Sequence, residues 1–224
     1  MANDEARPGH SSFAACVMSQ AVMNSGVMIE THPKEITGPW VKGFALDDHT
    51  LSSDYVGDDE FGHPEFETRR SEMGELLYRL KFKGDGSVLE AIVDTASDFI
   101  GSLGFSADVV VPVPPSNLDR PIRPPVAIAE GVGERLGIPV SADGVVKVKR
   151  TPELKNLRDR GERLTLLEDA FRASELELAG KTVLLIDDLY RSGATLSAVT
   201  NALYETGKAE AVYAVTMTRT RRLR

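Results

Sequence analysis

Residues 183 to 195 are the most informative stretch of the chain and read Val183-Leu184-Leu185-Ile186-Asp187-Asp188-Leu189-Tyr190-Arg191-Ser192-Gly193-Ala194-Thr195. The four consecutive apolar residues at its start predict a strand that is buried on both faces, which is typical of a parallel sheet covered by helices. Two adjacent acids end this strand, and a short turn at Ser192 and Gly193 leads into a helix. Ligands of open α/β sheets bind beyond the carboxyl ends of the strands, so we expect a binding site here.

The acids and the turn suit different parts of one ligand. Backbone N–H groups at the turn and at the start of the helix can hold a phosphate, and Gly193 lets the backbone come close to it. The hydroxyls of Ser192 and Thr195 add donors. Asp187 and Asp188 would repel a phosphate, and they suit hydroxyl groups or a divalent cation held through water instead. A ligand with a phosphate at one end and vicinal hydroxyls a few ångströms away is a sugar phosphate.

The sequence on both sides of this stretch has the pattern of a doubly wound α/β sheet. Apolar residues at helical spacing predict a helix over 87–103, and Pro124 and Pro125 predict the start of another that ends at about Leu136. A further helix is predicted over 194–206. The expected strands are 108–113, 145–148, 181–186 and 211–217. Strands that alternate with helices favour a mostly parallel, twisted sheet flanked by helices.

The first 70 residues differ in charge from the rest of the chain. They hold 12 Asp and Glu against 5 Lys and Arg, a net charge of −7, whereas the whole chain has a net charge of −8. Residues 1–36 show no sustained period and predict a loosely ordered segment. Residues 37–70 predict a small acidic strand or hairpin unit, and we expect the α/β domain to span residues 71–224.

Composition argues against several classes of protein. One cysteine, Cys16, cannot build a disulfide framework or a zinc site that needs two thiolates. No apolar run approaches the roughly 20 residues that cross a bilayer, and the N-terminus lacks the pattern of a signal peptide, so we expect a cytoplasmic protein with no membrane partner. Residues 147–163 hold 7 basic and 3 acidic side chains, which suits a compact polyanion better than a long nucleic acid.

Residues 187–195 resemble the 5-phosphoribosyl diphosphate (PRPP) motif of type I phosphoribosyltransferases. In that family two acids bind the ribose hydroxyls and the following loop binds the 5′-phosphate. The Thr or Ser that usually precedes Ser192 is Arg191 here, while the length of the loop and its glycine are unchanged. The resemblance implies a type I phosphoribosyltransferase fold with a small N-terminal hood.

Within this superfamily the chain is most similar to ComF-type proteins, over roughly residues 75–219. The matching segments are Leu80-Lys81-Phe82, Val111-Pro112-Val113-Pro114, Arg120, Arg123, Arg150-Thr151, Arg163 and Ala170-Phe171. Two features differ. The four-cysteine zinc ribbon that usually begins these proteins cannot form with one cysteine, and Arg123-Pro124-Pro125-Val126-Ala127 replaces their Arg-Gly-Phe-Asn-Gln segment.

The resemblance implies an enzyme that binds PRPP with Mg2+ and transfers the phosphoribosyl group to or from a nitrogenous base, acting as a homo-oligomer such as a dimer. The expected catalytic residues are Asp187, Asp188, Arg120, Arg123, Lys149 and Arg150. The expected PRPP-binding residues are Asp187, Asp188, Tyr190, Arg191, Ser192, Gly193, Ala194, Thr195, Pro114, Pro115, Ser116 and Lys81. Mg2+ would be held mainly by the substrate and by water, with Asp187 and Asp188 as the candidate protein ligands.

Several alternatives remain open at this point. The main alternative to an enzyme is a non-catalytic PRPP or nucleotide sensor that assists DNA uptake, which the ComF resemblance allows. The basic residues of 147–163 belong either to a loop that closes over the diphosphate or to a solvated loop. The Lys81 side chain either reaches the binding site or lies along an apolar stripe of its helix. Asp47, Asp48, His49 and His63 are also candidates for the ligands of a metal site. Their spacing matches no metal-ligand pattern, so we expect them to lie in turns.

Overall fold

The computed structural model describes residues 28–117, 119–149, 167 and 169–221. Its strands are β1 (Lys34–Glu35), β2 (Lys42–Asp48), β3 (Thr50–Asp58), β4 (Pro64–Arg70), β5 (Val109–Pro112), β6 (Val145–Lys147), β7 (Phe171–Ala173), β8 (Thr182–Tyr190) and β9 (Ala211–Arg219). Its α-helices are α1 (Glu72–Tyr78), α2 (Leu89–Ser102), α3 (Pro124–Leu136), α4 (Glu175–Leu178) and α5 (Ala194–Glu205). A π-helical turn (Arg79–Lys83) and a 3-10 turn (Gly86–Val88) connect α1 to α2.

A five-stranded sheet in the order β1-β2-β9-β8-β5 organises the fold. Strands β2, β9, β8 and β5 run parallel, and β1 pairs with β2 antiparallel. Val183 and Leu185 of β8 belong to one buried cluster, shared with α5, while Leu184 and Ile186 belong to another, shared with α1, α2 and α3. Strand β8 is thus buried on both faces, and the predicted mostly parallel sheet with flanking helices is confirmed.

The structure corrects the prediction for residues 37–70 in one respect. Strand β2 lies in the central sheet rather than in a separate unit, and its residues pair with those of β9 from Tyr213 to Arg219. Ala45, Leu46 and Asp47 are all buried, because an inner strand has neighbours on both sides and on both faces. Part of the segment predicted to be loose is also ordered, since β1 and the buried Ile29 and Ile36 belong to it; residues 1–27 lie outside the described residues.

Residues 50–70 do form a hairpin. Strands β3 and β4 pair antiparallel as a two-stranded sheet of their own. Both strands are exposed along most of their length, and the rings of Tyr55 and Phe66 meet edge to face with centroids 5.8 Å apart. A two-stranded sheet with both faces in water is only marginally stable by itself. The predicted homo-oligomer, for which this hairpin offers a surface, stays a prediction.

The strand predicted over residues 145–148 also lies outside the central sheet, contrary to the simple strand-and-helix pattern. Strand β6 pairs antiparallel with β7, and this small ribbon packs on α5 through the buried Val145 and Phe171. Only Val145 of β6 is buried, so the strand covers the edge of the buried cluster beside α5 and does not run through it. Among the helices of the described ranges, none is long and apolar enough to cross a membrane.

Candidate functional site

A cavity of about 390 Å³ opens at the carboxyl ends of β5 and β8. It lies where the sequence predicts a ligand site, because these parallel strands end at the same edge of the sheet. Every predicted PRPP-binding residue lines it, as do two of the predicted catalytic arginines: Lys81, Pro114, Pro115, Ser116, Asp187, Asp188, Tyr190, Arg191, Ser192, Gly193, Ala194, Thr195, Arg120 and Arg123. Residues separated by up to 114 positions in the chain therefore meet around one space.

Asp187 and Asp188 supply the two carboxyl groups of the cavity lining. Both side chains are largely buried, and the backbone N–H of Asp188 donates to Oδ1 of Asp187 at 2.9 Å. Burial raises the pKa of Asp187 well above its usual value of 3.8, and the neighbouring Asp188 carboxylate raises it further. Both effects make ionisation of Asp187 less favourable than that of a free aspartate.

Lys81 also lines the cavity and reaches one of these acids. Its Nζ forms an ion pair with Oδ2 of Asp188. The π-helical turn that carries Lys81 ends at Gly84, whose φ of 65° lies in the left-handed region. Insertions of this kind in a helix often occur at functional sites because they turn one side chain out of the regular pattern. Of the two readings open for Lys81, the structure favours the one in which its side chain reaches the site.

The turn before α5 is the part of the cavity lining that suits a phosphate. Gly193 has a φ of 78°, and a Cβ atom at this position would lie 2.7 Å from Oη of Tyr190. Glycine is therefore required both by the backbone conformation and by the tyrosine ring. The first turn of the twelve-residue helix α5 brings its N–H groups and the Thr195 side chain to the cavity, where the positive end of the helix dipole favours an anion.

Arg120 and Arg123 line the cavity from the segment that follows β5. Arg120 is half-buried, and its Nη1 donates to the backbone oxygen of Lys81 at 3.1 Å. Arg123 is the residue that precedes α3, whose first two residues are the predicted Pro124 and Pro125. The lining of the cavity thus combines two guanidinium groups and an anion-binding turn with two acids.

One predicted catalytic residue of the described ranges, Lys149, does not line the cavity. Lys149 is exposed beyond the end of β6, and its Nζ lies 3.6 Å from Oδ2 of Asp169. Arg150 lies outside the described residues, as do Lys155, Arg158 and Arg160 of the same basic segment. The predicted role of this segment stays a prediction.

The acids and histidines considered as an alternative metal site have other partners. Asp48 accepts from Nε of Arg219 at 2.8 Å, and His63 contacts Asp59 at 3.2 Å in the β3–β4 turn. No cluster of three or more His, Cys, Asp or Glu side chains suited to a metal ion occurs among the residues that the structure describes. A cation at the cavity would therefore take most of its ligands from its substrate and from water.

Sequence reasoning missed several residues near the acids. Oγ1 of Thr218 donates to the backbone oxygen of Asp188 at 3.3 Å and contacts Nδ1 of His49 at 3.1 Å. Burial lowers the pKa of His49, and the positive charge of Arg70 lowers it further, so the neutral imidazole is favoured. The buried threonines at the end of β9 are the signal that could have indicated this neighbourhood, because they follow an otherwise apolar run. Phe82 and Asn117 also line the cavity without having been predicted to.

Comparison with known proteins gives one match in sequence and several in structure. The chain is 33% identical to the competence protein ComFC of Bacillus subtilis over 148 residues, which cover 66% of this chain and 60% of ComFC. No family model matches this chain. The match to ComFC confirms the resemblance to ComF-type proteins that the motifs predict, and the chain spans about 60% of the length of that relative.

The solved structures that resemble this fold include phosphoribosyltransferases. Glutamine PRPP amidotransferase from B. subtilis, complexed with ADP and GMP, is 20% identical with a TM-score of 0.44, covering 70% of this chain and 34% of the other. Adenine phosphoribosyltransferase from Leishmania tarentolae is 12% identical with a TM-score of 0.43, covering 84% of this chain and 94% of the other. Both TM-scores are below 0.5, so these similarities carry no argument about function.

Proposed function

We propose that this protein binds PRPP with Mg2+ in the cavity at the end of β8 and transfers its phosphoribosyl group to a nitrogenous base, or catalyses the reverse reaction. In the forward direction the bond between C1 of the ribose and the diphosphate oxygen breaks, and a bond forms between C1 and a ring nitrogen of the base. The electron pair of the broken bond leaves with the diphosphate, and the proton that the ring nitrogen loses passes to the diphosphate or to water.

The observation that carries this proposal is the set of chemical groups that meet around one cavity. The turn at Ser192 and Gly193 suits the 5′-phosphate, Asp187 and Asp188 suit the ribose hydroxyls, and Arg120 and Arg123 suit the diphosphate. PRPP carries a phosphate, a diol and a diphosphate. Each group of the substrate thus has a chemically matched partner in the chain.

The protein residues act mainly by binding and orientation. Asp187 and Asp188 fix the ribose ring so that C1 is presented to the base. Arg120 and Arg123 stabilise the negative charge that develops on the departing diphosphate. Lys81 can leave Asp188 for the diphosphate when the ribose hydroxyls take its place, because lysine carries its charge on a long flexible chain.

Mg2+ fits this cavity as a companion of the substrate. The two carboxyls supply the hard oxygen ligands that Mg2+ prefers, but two carboxyls alone do not complete its octahedral coordination. Asp187 and Asp188 would hold the ion together with substrate oxygens and water. When bound, the ion would neutralise part of the charge on the diphosphate and so make it a better leaving group.

The test is to incubate the protein with PRPP, Mg2+ and a panel of purine and pyrimidine bases and to measure the release of diphosphate. We expect release with at least one base. The double variant Asp187→Asn with Asp188→Asn should lower the rate at least tenfold and keep a native circular dichroism spectrum. Asp98→Asn serves as the matched control, because Asp98 is exposed on α2 and does not line the cavity. Equal rates for all three proteins would contradict the assignment of the two acids.

A second candidate function is a PRPP or nucleotide sensor that assists DNA uptake without catalysis. It is favoured by the match to a competence protein and by the ion pair between Lys81 and Asp188, which already satisfies one of the ribose-binding acids. The same assay separates the two functions. A native protein that binds PRPP but releases no diphosphate with any base supports the sensor, whereas release with any base supports the transferase.

A further inference from the structure

Four side chains form a stack of cation–π and aromatic contacts that leads to the cavity, which two of them, Phe82 and Arg120, line. The guanidinium carbon of Arg70 lies 4.0 Å from the centre of the Tyr78 ring, and the centre of that ring lies 5.3 Å from that of Phe82. On the far side, the guanidinium carbon of Arg120 lies 5.1 Å from the centre of the Phe82 ring. The stack therefore connects the end of the β3–β4 hairpin to the segment after β5.

Phe82 has no role in the hydrophobic core. Its side chain is 59% exposed, it lines the cavity, and it follows Lys81 directly in the π-helical turn. Lys81 and Phe82 meet different parts of the site, because Lys81 pairs with Asp188 while Phe82 lies against Arg120. The π-helical turn thus contacts both Asp188 and Arg120.

Two contacts hold the guanidinium of Arg120 in place. Its Nη1 donates to the backbone oxygen of Lys81, and its guanidinium carbon lies 5.1 Å from the centre of the Phe82 ring. An arginine side chain has several rotatable bonds, so an unrestrained one loses much conformational freedom when it binds an anion. Since the bond to Lys81 uses one of the five N–H donors, the remaining donors can serve a ligand while the contact with Phe82 restricts the movement of the guanidinium.

We propose that Phe82 is a positioning residue that orients Arg120 toward the diphosphate end of the substrate. The inference rests on the proposed function, because it is the diphosphate that Arg120 would bind. Phe82 itself touches no reacting atom in this proposal. Its ring attracts the guanidinium by a cation–π interaction and preorganises it, and Tyr78 supports the ring from behind.

The experiment compares Phe82→Leu with the conservative variant Phe82→Tyr, which keeps the aromatic face. Calorimetry with Mg2+ measures the Kd for PRPP and for ribose 5-phosphate, which lacks the diphosphate. We expect Phe82→Leu to raise the Kd for PRPP by roughly two- to fivefold, the size of an exposed cation–π contact, and to leave the Kd for ribose 5-phosphate unchanged. Phe82→Tyr should bind both as the native protein does.

A double-mutant cycle with Arg120→Ala tests whether Phe82 acts through the arginine. If it does, Phe82→Leu should weaken PRPP binding in the native background and have no further effect once Arg120 is alanine. Additive effects, or an equal loss for ribose 5-phosphate, would overturn the inference even if PRPP binding by the native protein is established.

A measurement without ligand keeps the inference testable apart from the proposed function. The side-chain Nε–H resonance of Arg120, assigned by its loss in Arg120→Lys, should carry a ring-current shift that Phe82→Leu removes and Phe82→Tyr retains. An unchanged resonance in Phe82→Leu would overturn the positioning role. Failure of the native protein to bind PRPP would instead overturn the proposed function, and with it the purpose assigned to Arg120.

Discussion

Asp187 is buried at the site and yet is expected to bind a polar ligand. Burial and the neighbouring Asp188 raise its pKa above 3.8, so the folded protein holds this proton at pH values where the unfolded chain has lost it. The stability contributed by this group is therefore complete below pH 3.8 and is lost as the pH rises through the folded pKa. A functional carboxyl at this position lowers the stability of the fold at neutral pH.

The first prediction follows from the loss of stability that ionisation of Asp187 causes as the pH rises. Asp187→Asn keeps an oxygen that can accept from the N–H of Asp188, but it removes the charge that burial disfavours. We expect its Tm to exceed that of the native protein at pH 8 and to approach the native value at pH 4, while its affinity for PRPP falls by about tenfold or more. Thermal unfolding across this pH range, followed by calorimetry with PRPP, checks both parts. A variant that is less stable than the native protein at pH 8 would show that the carboxylate is structural.

The second prediction concerns Gly193, where an alanine would have to adopt a φ of 78° beside the Tyr190 ring. A left-handed conformation costs an L-residue roughly 1–2 kcal/mol, and the clash with Tyr190 adds to this. We expect Gly193→Ala to lower stability by about that amount and to weaken binding of ribose 5-phosphate, measured by chemical denaturation and calorimetry.

Gly101→Ala is the matched control for this substitution. Gly101 lies in α2, and a Cβ atom there would meet no other atom within 4 Å. Alanine in a helix interior is more favourable than glycine by roughly 0.5–1 kcal/mol, so this variant should be at least as stable as the native protein. Similar losses in the two variants would contradict the special role of the turn.

At the level of elements, local sequence patterns predict where strands and helices occur but not how the strands pair. The apolar run of β8, the helical spacing in α2 and the prolines that open α3 are local signals, and the corresponding elements occur where they were expected. The position of β2 in the central sheet is set by its pairing with β9, more than 160 residues later in the chain. No periodicity within residues 37–70 carries that information, which is why the segment was predicted to form a separate unit.

The third prediction tests how α1 is joined to the sheet. Oγ of Ser71 accepts from the N–H of Gly74 at 3.0 Å and donates to the backbone oxygen of Asp48 at 2.5 Å, so one buried hydroxyl caps α1 and ties it to the end of β2. Removing an N-cap side chain costs about 0.5–2 kcal/mol. We expect Ser71→Ala to lower the Tm by roughly 1–8 °C in thermal unfolding followed by circular dichroism.

Ser102→Ala is the comparison for this prediction. The Ser102 hydroxyl donates to the backbone oxygen of Phe99 at 2.6 Å, but it is exposed at the end of α2 and joins no other element. Its removal should shift the Tm by much less. Equal shifts for the two serines would mean that the link between α1 and β2 contributes little.

At the scale of the whole molecule, the candidate site was predicted in parts and assembled only by the fold. The sequence of residues 187–195 indicates its own chemistry, because strand, acids, turn and helix are contiguous. The contact of Arg120 with Phe82 and Lys81 joins residues about 40 positions apart, and it depends on where the segment after β5 meets the turn after α1. Thr218 and His49 approach Asp188 for a similar reason, since β2, β8 and β9 end side by side.

The last prediction uses the whole molecule as the reporter of binding. A ligand that binds only the folded state stabilises it by about 2.7 kcal/mol at a concentration of 100 times its Kd. For a chain of 224 residues we expect PRPP with Mg2+ at that excess to raise the Tm by roughly 5–11 °C. Chelating the metal with EDTA should remove most of the shift, and the double variant Asp187→Asn with Asp188→Asn should show little of it. Absence of a shift in the native protein would contradict PRPP binding.

The same measurement, repeated after incubation with a base, distinguishes the two candidate functions. A transferase consumes PRPP when a suitable base is present, so the stabilisation that PRPP provides should change with incubation time as substrate is replaced by nucleotide and diphosphate. A sensor leaves PRPP intact, and its shift should stay constant for every base in the panel. The change must also depend on the two acids: a time course that persists in the double variant would indicate consumption of PRPP outside the cavity and would contradict the catalytic assignment.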